Sequence, residues 1–177
     1  IGTCYFVVSQ SVFYMAVDGT LILIGFVADS PSQIYFKDNK LAVVLVDGVN
    51  GYVIDMSNNN FAQITDPNFY GADFVELLDT FFIFNRPGTN QFYISASNAS
   101  YAMLSTVGAF DPLDIAAKSG FNDPIVGIAT AHRELWLIGD LTSEVWIGTG
   151  AADFYFQQVQ GAYINHGSSA KYSVSQQ

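Results

Sequence analysis

Residues 41–55 read Leu41-Ala42-Val43-Val44-Leu45-Val46-Asp47-Gly48-Val49-Asn50-Gly51-Tyr52-Val53-Ile54-Asp55. Two short apolar runs flank a turn rich in Asp, Asn and Gly. The first run does not alternate with polar residues. A strand with one wet face would alternate, so this one is expected to be covered on both faces. Its β-branched content favours a strand over a helix. Asp47-Gly48 and Asn50-Gly51 supply residues that tolerate the backbone of a tight turn. The stretch therefore predicts a hairpin buried on both sides.

The same grammar recurs outward from it. Val12 to Val17, Leu41 to Val46, Thr80 to Phe84 and Leu135 to Gly139 are apolar runs ending in turns. Leu21 to Gly25, Tyr52 to Asp55, Phe92 to Ser95 and Val145 to Gly148 follow them. Leu41 and Phe81 lie 40 residues apart, Phe81 and Leu135 54 apart, and Val12 and Leu41 29 apart. Four-stranded units near a period of about 40 residues mark a β-propeller. The expected fold is all-β, a propeller of four-stranded antiparallel blades, with about four blades visible in a chain that reads as part of a longer one. The units fall at 1–30, 31–66, 67–107 and 121–160. Residues 108–120 read as an insertion, and 161–177 as the start of a further unit. Within the insertion, Asp111-Pro112 and Gly120 are start and stop signals for a short helix over Pro112 to Ser119.

Composition narrows the function. The chain has 177 residues, 16 acidic and 6 basic, for a formal charge of -10. Half of its residues are hydrophobic and 12% are charged, so disorder is excluded. An isoelectric point near 4.1 argues against gripping nucleic acid by charge. A single cysteine, Cys4, cannot build a disulfide scaffold and reads as a small buried hydrophobe. No apolar run reaches the roughly 20 residues of a membrane helix. The non-alternating inner strands also argue against an outer-membrane barrel.

Catalytic and metal readings are weak. His132 could act as a general base with Glu134 as its partner, but a polar turn with a local salt bridge is the simpler account. His166 beside Ser168 and Ser169 lacks the nucleophile-elbow motif. Asp47, Asn50 and Asp55 offer oxygen ligands, but not at calcium-loop spacing, and turn chemistry explains them. No catalytic residue, cofactor or metal ligand is assigned. A carbohydrate-binding module or glycan-active propeller enzyme is the alternative function, with Trp136 and Trp146 as sugar-stacking platforms.

Several phrases are more specific than the blade pattern: Ile64-Thr65-Asp66-Pro67-Asn68-Phe69; Phe82-Ile83-Phe84-Asn85-Arg86-Pro87-Gly88-Thr89-Asn90-Gln91-Phe92-Tyr93; His132-Arg133-Glu134-Leu135-Trp136; and Gln160-Gly161-Ala162-Tyr163-Ile164-Asn165-His166-Gly167. In this order and spacing the chain resembles the packaged-DNA stabilisation proteins of short-tailed bacteriophages, also described as head-completion or tail-nozzle proteins. The resemblance covers about Gln33 to Val174. It implies a non-enzymatic virion protein at the tail or portal vertex, assembled in the host bacterial cytoplasm. It implies a ring, expected to be hexameric, that meets the portal adaptor and tail needle proteins and closes the channel behind the packaged genome. An acidic lumen would then leave DNA close by but unbound. Aromatic residues flanking turns are candidate contact residues: Phe69, Tyr70, Tyr155, Tyr163 and Tyr172. Packing between blades is the competing role for each.

Overall fold

A computed structural model describes residues 3–174. Its strands form four antiparallel sheets in chain order. The first holds β1 (Cys4–Val8), β2 (Ser11–Met15) and β3 (Leu21–Phe26). The second holds β4 (Tyr35–Asp38), β5 (Ala42–Val46), β6 (Gly51–Asp55) and β7 (Phe61–Gln63). The third holds β8 (Val75–Leu78), β9 (Phe81–Asn85), β10 (Gln91–Ile94) and β11 (Ile115–Ala117). The fourth holds β12 (Ile125–Ala131), β13 (Glu134–Gly139), β14 (Ser143–Gly148) and β15 (Phe156–Ile164). These are propeller blades, three with four strands and the first with three. The leading strands β4, β8 and β12 touch across blades and form the inner edge.

The two-sided burial expected of residues 41–46 is present. All five residues of β5 are buried. Val43 and Leu45 pack toward the first blade with Val12, Tyr52 and Ile54. Ala42, Val44 and Val46 pack toward the third blade with Val75, Phe82, Phe84 and Tyr93. β9 divides likewise, with Ile83 joining Leu135, Leu137 and Trp146 of the fourth blade. Period-two alternation thus sends each blade's residues into two different cores.

The first blade differs. Its register sets Phe6 opposite Phe13, and Phe13 opposite Leu23. Cys4, Met15 and Leu21 form the next row of the same face. Phe6, Val8, Met15, Leu21, Leu23 and Phe26 on this blade are exposed. Cys4 is exposed with them, which corrects its reading as a buried hydrophobe. An apolar pattern alone does not say whether a neighbour covers it.

The insertion is also corrected. Residues 112–119 form no helix. The Asp111 carboxylate accepts the Leu113 N–H at 2.9 Å, and its carbonyl accepts the Asp114 N–H, making a local turn. β11 then pairs with β10, Ile115 opposite Tyr93 and Ala117 opposite Gln91. Asp followed by Pro serves an Asx-turn as readily as a helix start, and strand pairing decides between them. One helical turn, α1 (Tyr101–Leu104), lies earlier in the connection between β10 and β11. Leu104, Ala99, Ala109 and Phe110 from this connection enter the core between blades two and three. Residues 161–164 belong to β15, and 165–174 follow as turns without a ladder. Residues 175–177 of the expected further unit, and 1–2 of the first, lie outside the described residues.

Candidate functional site

Buried carboxylates organise the connections between blades. Asp66, after β7, accepts the N–H groups of Gly108 at 2.6 Å and Ala109 at 3.0 Å from the third blade. Glu144 on β14 is fully buried. It accepts the Gly120 N–H at 2.7 Å, the Ser119 N–H at 3.2 Å and the indole Nε1–H of Trp146 at 3.2 Å. Asp123 accepts the Leu141 and Thr142 N–H groups on one oxygen and the Thr142 hydroxyl on the other. Lys118 Nζ reaches the same carboxylate at 2.8 Å, and donates to the Thr142 carbonyl and hydroxyl. Burial disfavours the Asp123 anion, but Lys118 and these donors outweigh it and hold its carboxyl well below the ordinary carboxylate range. Each acid satisfies loop amides that would otherwise be orphaned, so these carboxylates are braces.

The inner edge holds a second polar group. Lys37 on β4 pairs with Glu76 on β8, and Thr130 on β12 donates to the same carboxylate at 3.2 Å. Three blades meet there through one acid, and its charge is matched by a lysine. At the entry to β8, Asn85 Nδ2 donates to Asp73 at 3.0 Å, while Asn85 Oδ1 accepts the N–H groups of Asp73 and Phe74. Lys171 pairs with the other Asp73 oxygen at 2.6 Å. The acid surplus is therefore not a uniform lining. Asp47, Asp66, Asp73, Asp123 and Glu144 are buried, and Glu76 is paired.

Four of the five aromatic candidates pack within the structure. Phe69 sits edge-on to Phe84 at 5.6 Å and to Tyr93 at 6.0 Å, in the core between blades two and three. Tyr70 packs on Tyr93 and carries the Arg86 guanidinium over its ring at 4.7 Å. Tyr155 lies 4.5 Å from Phe81 and donates to Asp79 at 2.9 Å, bridging blades four and three. Tyr172 packs against Tyr35 and Phe74. Tyr163 keeps 47% of its surface, and its hydroxyl lies 3.0 Å from Gln158 and 3.3 Å from Ser119. The structure does not gather the five into one patch.

The weaker candidates separate. His132 and Arg133 occupy a turn at φ 51° and 64°. Arg133 pairs with Asp79 of the third blade at 3.0 Å, so its salt bridge is between blades and not local as expected. The His166 carbonyl accepts the Ser143 hydroxyl, while Ser168 bonds Ala170 and Ser173. Asp47 folds its carboxylate onto the N–H groups of Val49 and Asn50, and Asp55 lies at the far end of β6, bonded to Ser57. Trp146 is 7% exposed and engaged by Glu144, which removes it as a sugar platform. The braces Asp66, Asp123 and Glu144 were missed in sequence. Asp123-Pro124 and Asp66-Pro67 could have hinted at two of them, since Asp before proline favours the start of a turn.

These features define a β-propeller module in which the buried carboxylates Asp66 and Glu144 and the Lys118–Asp123 pair tie blade connections together. Residues 1–177, the whole chain, match the phage stabilisation family model described as bacteriophage P22 Gp10, beta-propeller. The chain belongs to this family of phage packaged-DNA stabilisation proteins. A comparison with curated proteins finds no match. No helix among the described residues is long and apolar enough to cross a membrane.

Proposed function

We propose that this protein is a non-enzymatic part of the tail or portal vertex, where it helps close the DNA channel and retain the packaged genome. The match of the entire chain to the phage stabilisation family carries this reading. The use of Asp66, Asp123 and Glu144 as loop braces supports it, because these acids are committed to backbone amides and not to a substrate. The partners in this reading are further copies in a ring, expected to be a hexamer, together with the portal adaptor and tail needle proteins. Among the five aromatics, Tyr163 is the one exposed enough to meet such a partner. DNA lies nearby without being gripped, because a chain of charge -10 offers it no basic track.

The test is reconstitution. DNA-filled heads carrying portal and adaptor are incubated with or without the protein, and nuclease-accessible DNA is measured. Retention that rises with the protein, with new density at the vertex by electron microscopy, is the expected result. Equal DNA loss in both samples would defeat the reading.

A further inference from the structure

The segment after β15 crosses the inner strands of three blades. Its start is fixed to the fourth blade, where the Ser143 hydroxyl donates to the His166 carbonyl at 2.8 Å and the Ser168 N–H donates to the Gly139 carbonyl at 2.9 Å. Its far part reaches across. Lys171 pairs with Asp73 at the entry to β8. The Tyr172 ring stacks on Tyr35 of β4, with centroids 5.9 Å apart, and leans on Phe74 at 5.3 Å. Val174 lies against Gly127 of β12, where a methyl group would already press on it.

Two of the three residues that make these contacts are held weakly. Tyr172 has φ 69°, a left-handed backbone that favours glycine. Its hydroxyl is buried with no hydrogen-bond partner among the described residues. A buried hydroxyl without a partner opposes the state that buries it. The Lys171 side chain remains 40% exposed, so solvent weakens its ion pair. Asp73, in contrast, is 4% exposed on its side chain and is fixed by Asn85, so the receiving side is rigid.

We propose that residues 165–174 form a releasable strap that ties the inner strands of blades two, three and four together. The socket of Asp73, Tyr35 and Phe74 is built to hold Lys171 and Tyr172, and the strained backbone and lone hydroxyl keep that hold shallow. The strap sets how freely the three inner strands move relative to one another. This inference does not depend on the vertex role.

Hydrogen–deuterium exchange on the intact protein tests it, with Cys4→Ser as background. Lys171→Gln should speed exchange of the strap several-fold, while the Asn85-bound amides of Asp73 and Phe74, together with β5 and β9, keep their protection and report intact folding. Tyr172→Phe should slow strap exchange several-fold, because it deletes the lone hydroxyl and keeps the ring. The pair Gly127→Cys and Val174→Cys should cross-link on oxidation. A Cβ built at Gly127 lies 3.6 Å from the Val174 Cβ, within disulfide range. Unchanged exchange in Lys171→Gln, or no cross-link, overturns the strap. Unchanged or faster exchange in Tyr172→Phe overturns its release.

Discussion

Replacing Lys118 by Met tests the bracing between blades three and four. The Lys118 side chain has no exposed surface, and Asp123 is 5% exposed. Met keeps most of the aliphatic volume but removes three donated hydrogen bonds. Removing one partner of a buried pair ordinarily costs about 3–5 kcal/mol. Asp123 retains the Leu141 and Thr142 N–H groups and the Thr142 hydroxyl, so the low end of that range, about 3 kcal/mol, is expected. For a domain of this size that is roughly 6–12 °C in Tm. The assay is reversible denaturant unfolding followed by tryptophan emission, which reports Trp136 and Trp146 in the fourth blade. The pH dependence has a definite sign. The folded carboxyl of Asp123 titrates below its unfolded value, so its contribution is present at neutral pH and is lost as pH falls through and below the ordinary carboxylate range. In Lys118→Met that depression shrinks, so less stability should be lost as pH falls through and below that range, with the onset unchanged. A change below about 1 kcal/mol at pH 7, the size of an exposed pair, would refute the assignment of this pair as a brace.

Three further substitutions probe other parts of the fold. Phe69→Ala should destabilise by about 3 kcal/mol, since the ring packs on Phe84, Tyr93 and Phe110; a loss typical of a surface site in thermal melts would show that it is not core. Glu144→Gln sets an amide donor among the Ser119, Gly120 and Trp146 donors, and should cost about 1–3 kcal/mol with a change in tryptophan emission. Leu23→Lys on the exposed face of β3, which has no second strand partner among the described residues, should lower self-association in light scattering while leaving Tm nearly unchanged; identical association in both proteins would show that this face is not where copies meet.

Strands were legible wherever side-chain pattern and turn chemistry agreed. Residues 41–55 carry both, and β5 and β6 fall where the pattern put them. β11 was not legible, because Ile115-Ala116-Ala117 has no β-branched run and follows a good helix start. Its strand character comes from β10, a partner more than twenty residues away. The candidate site was less legible still. An aspartate that braces a distant loop and one that closes its own turn look alike in sequence. Asp123 reaches residues 141 and 142, whereas Asp111 reaches only Leu113. The aromatic residues flanking turns suggested contact surfaces, yet Phe69 and Tyr155 fill gaps between blades because a turn residue of one blade abuts the sheet of the next.

The first blade stops one strand short of the other three, while the third carries α1 in the connection that leans on the second. Among the described residues, one strand fewer narrows that sheet by about 4.8 Å. Blades of equal outline would offer a neighbour the same rim each time. The narrower first sheet and the added turn on the third make those two rims unlike, so a surface shaped to one does not fit the other.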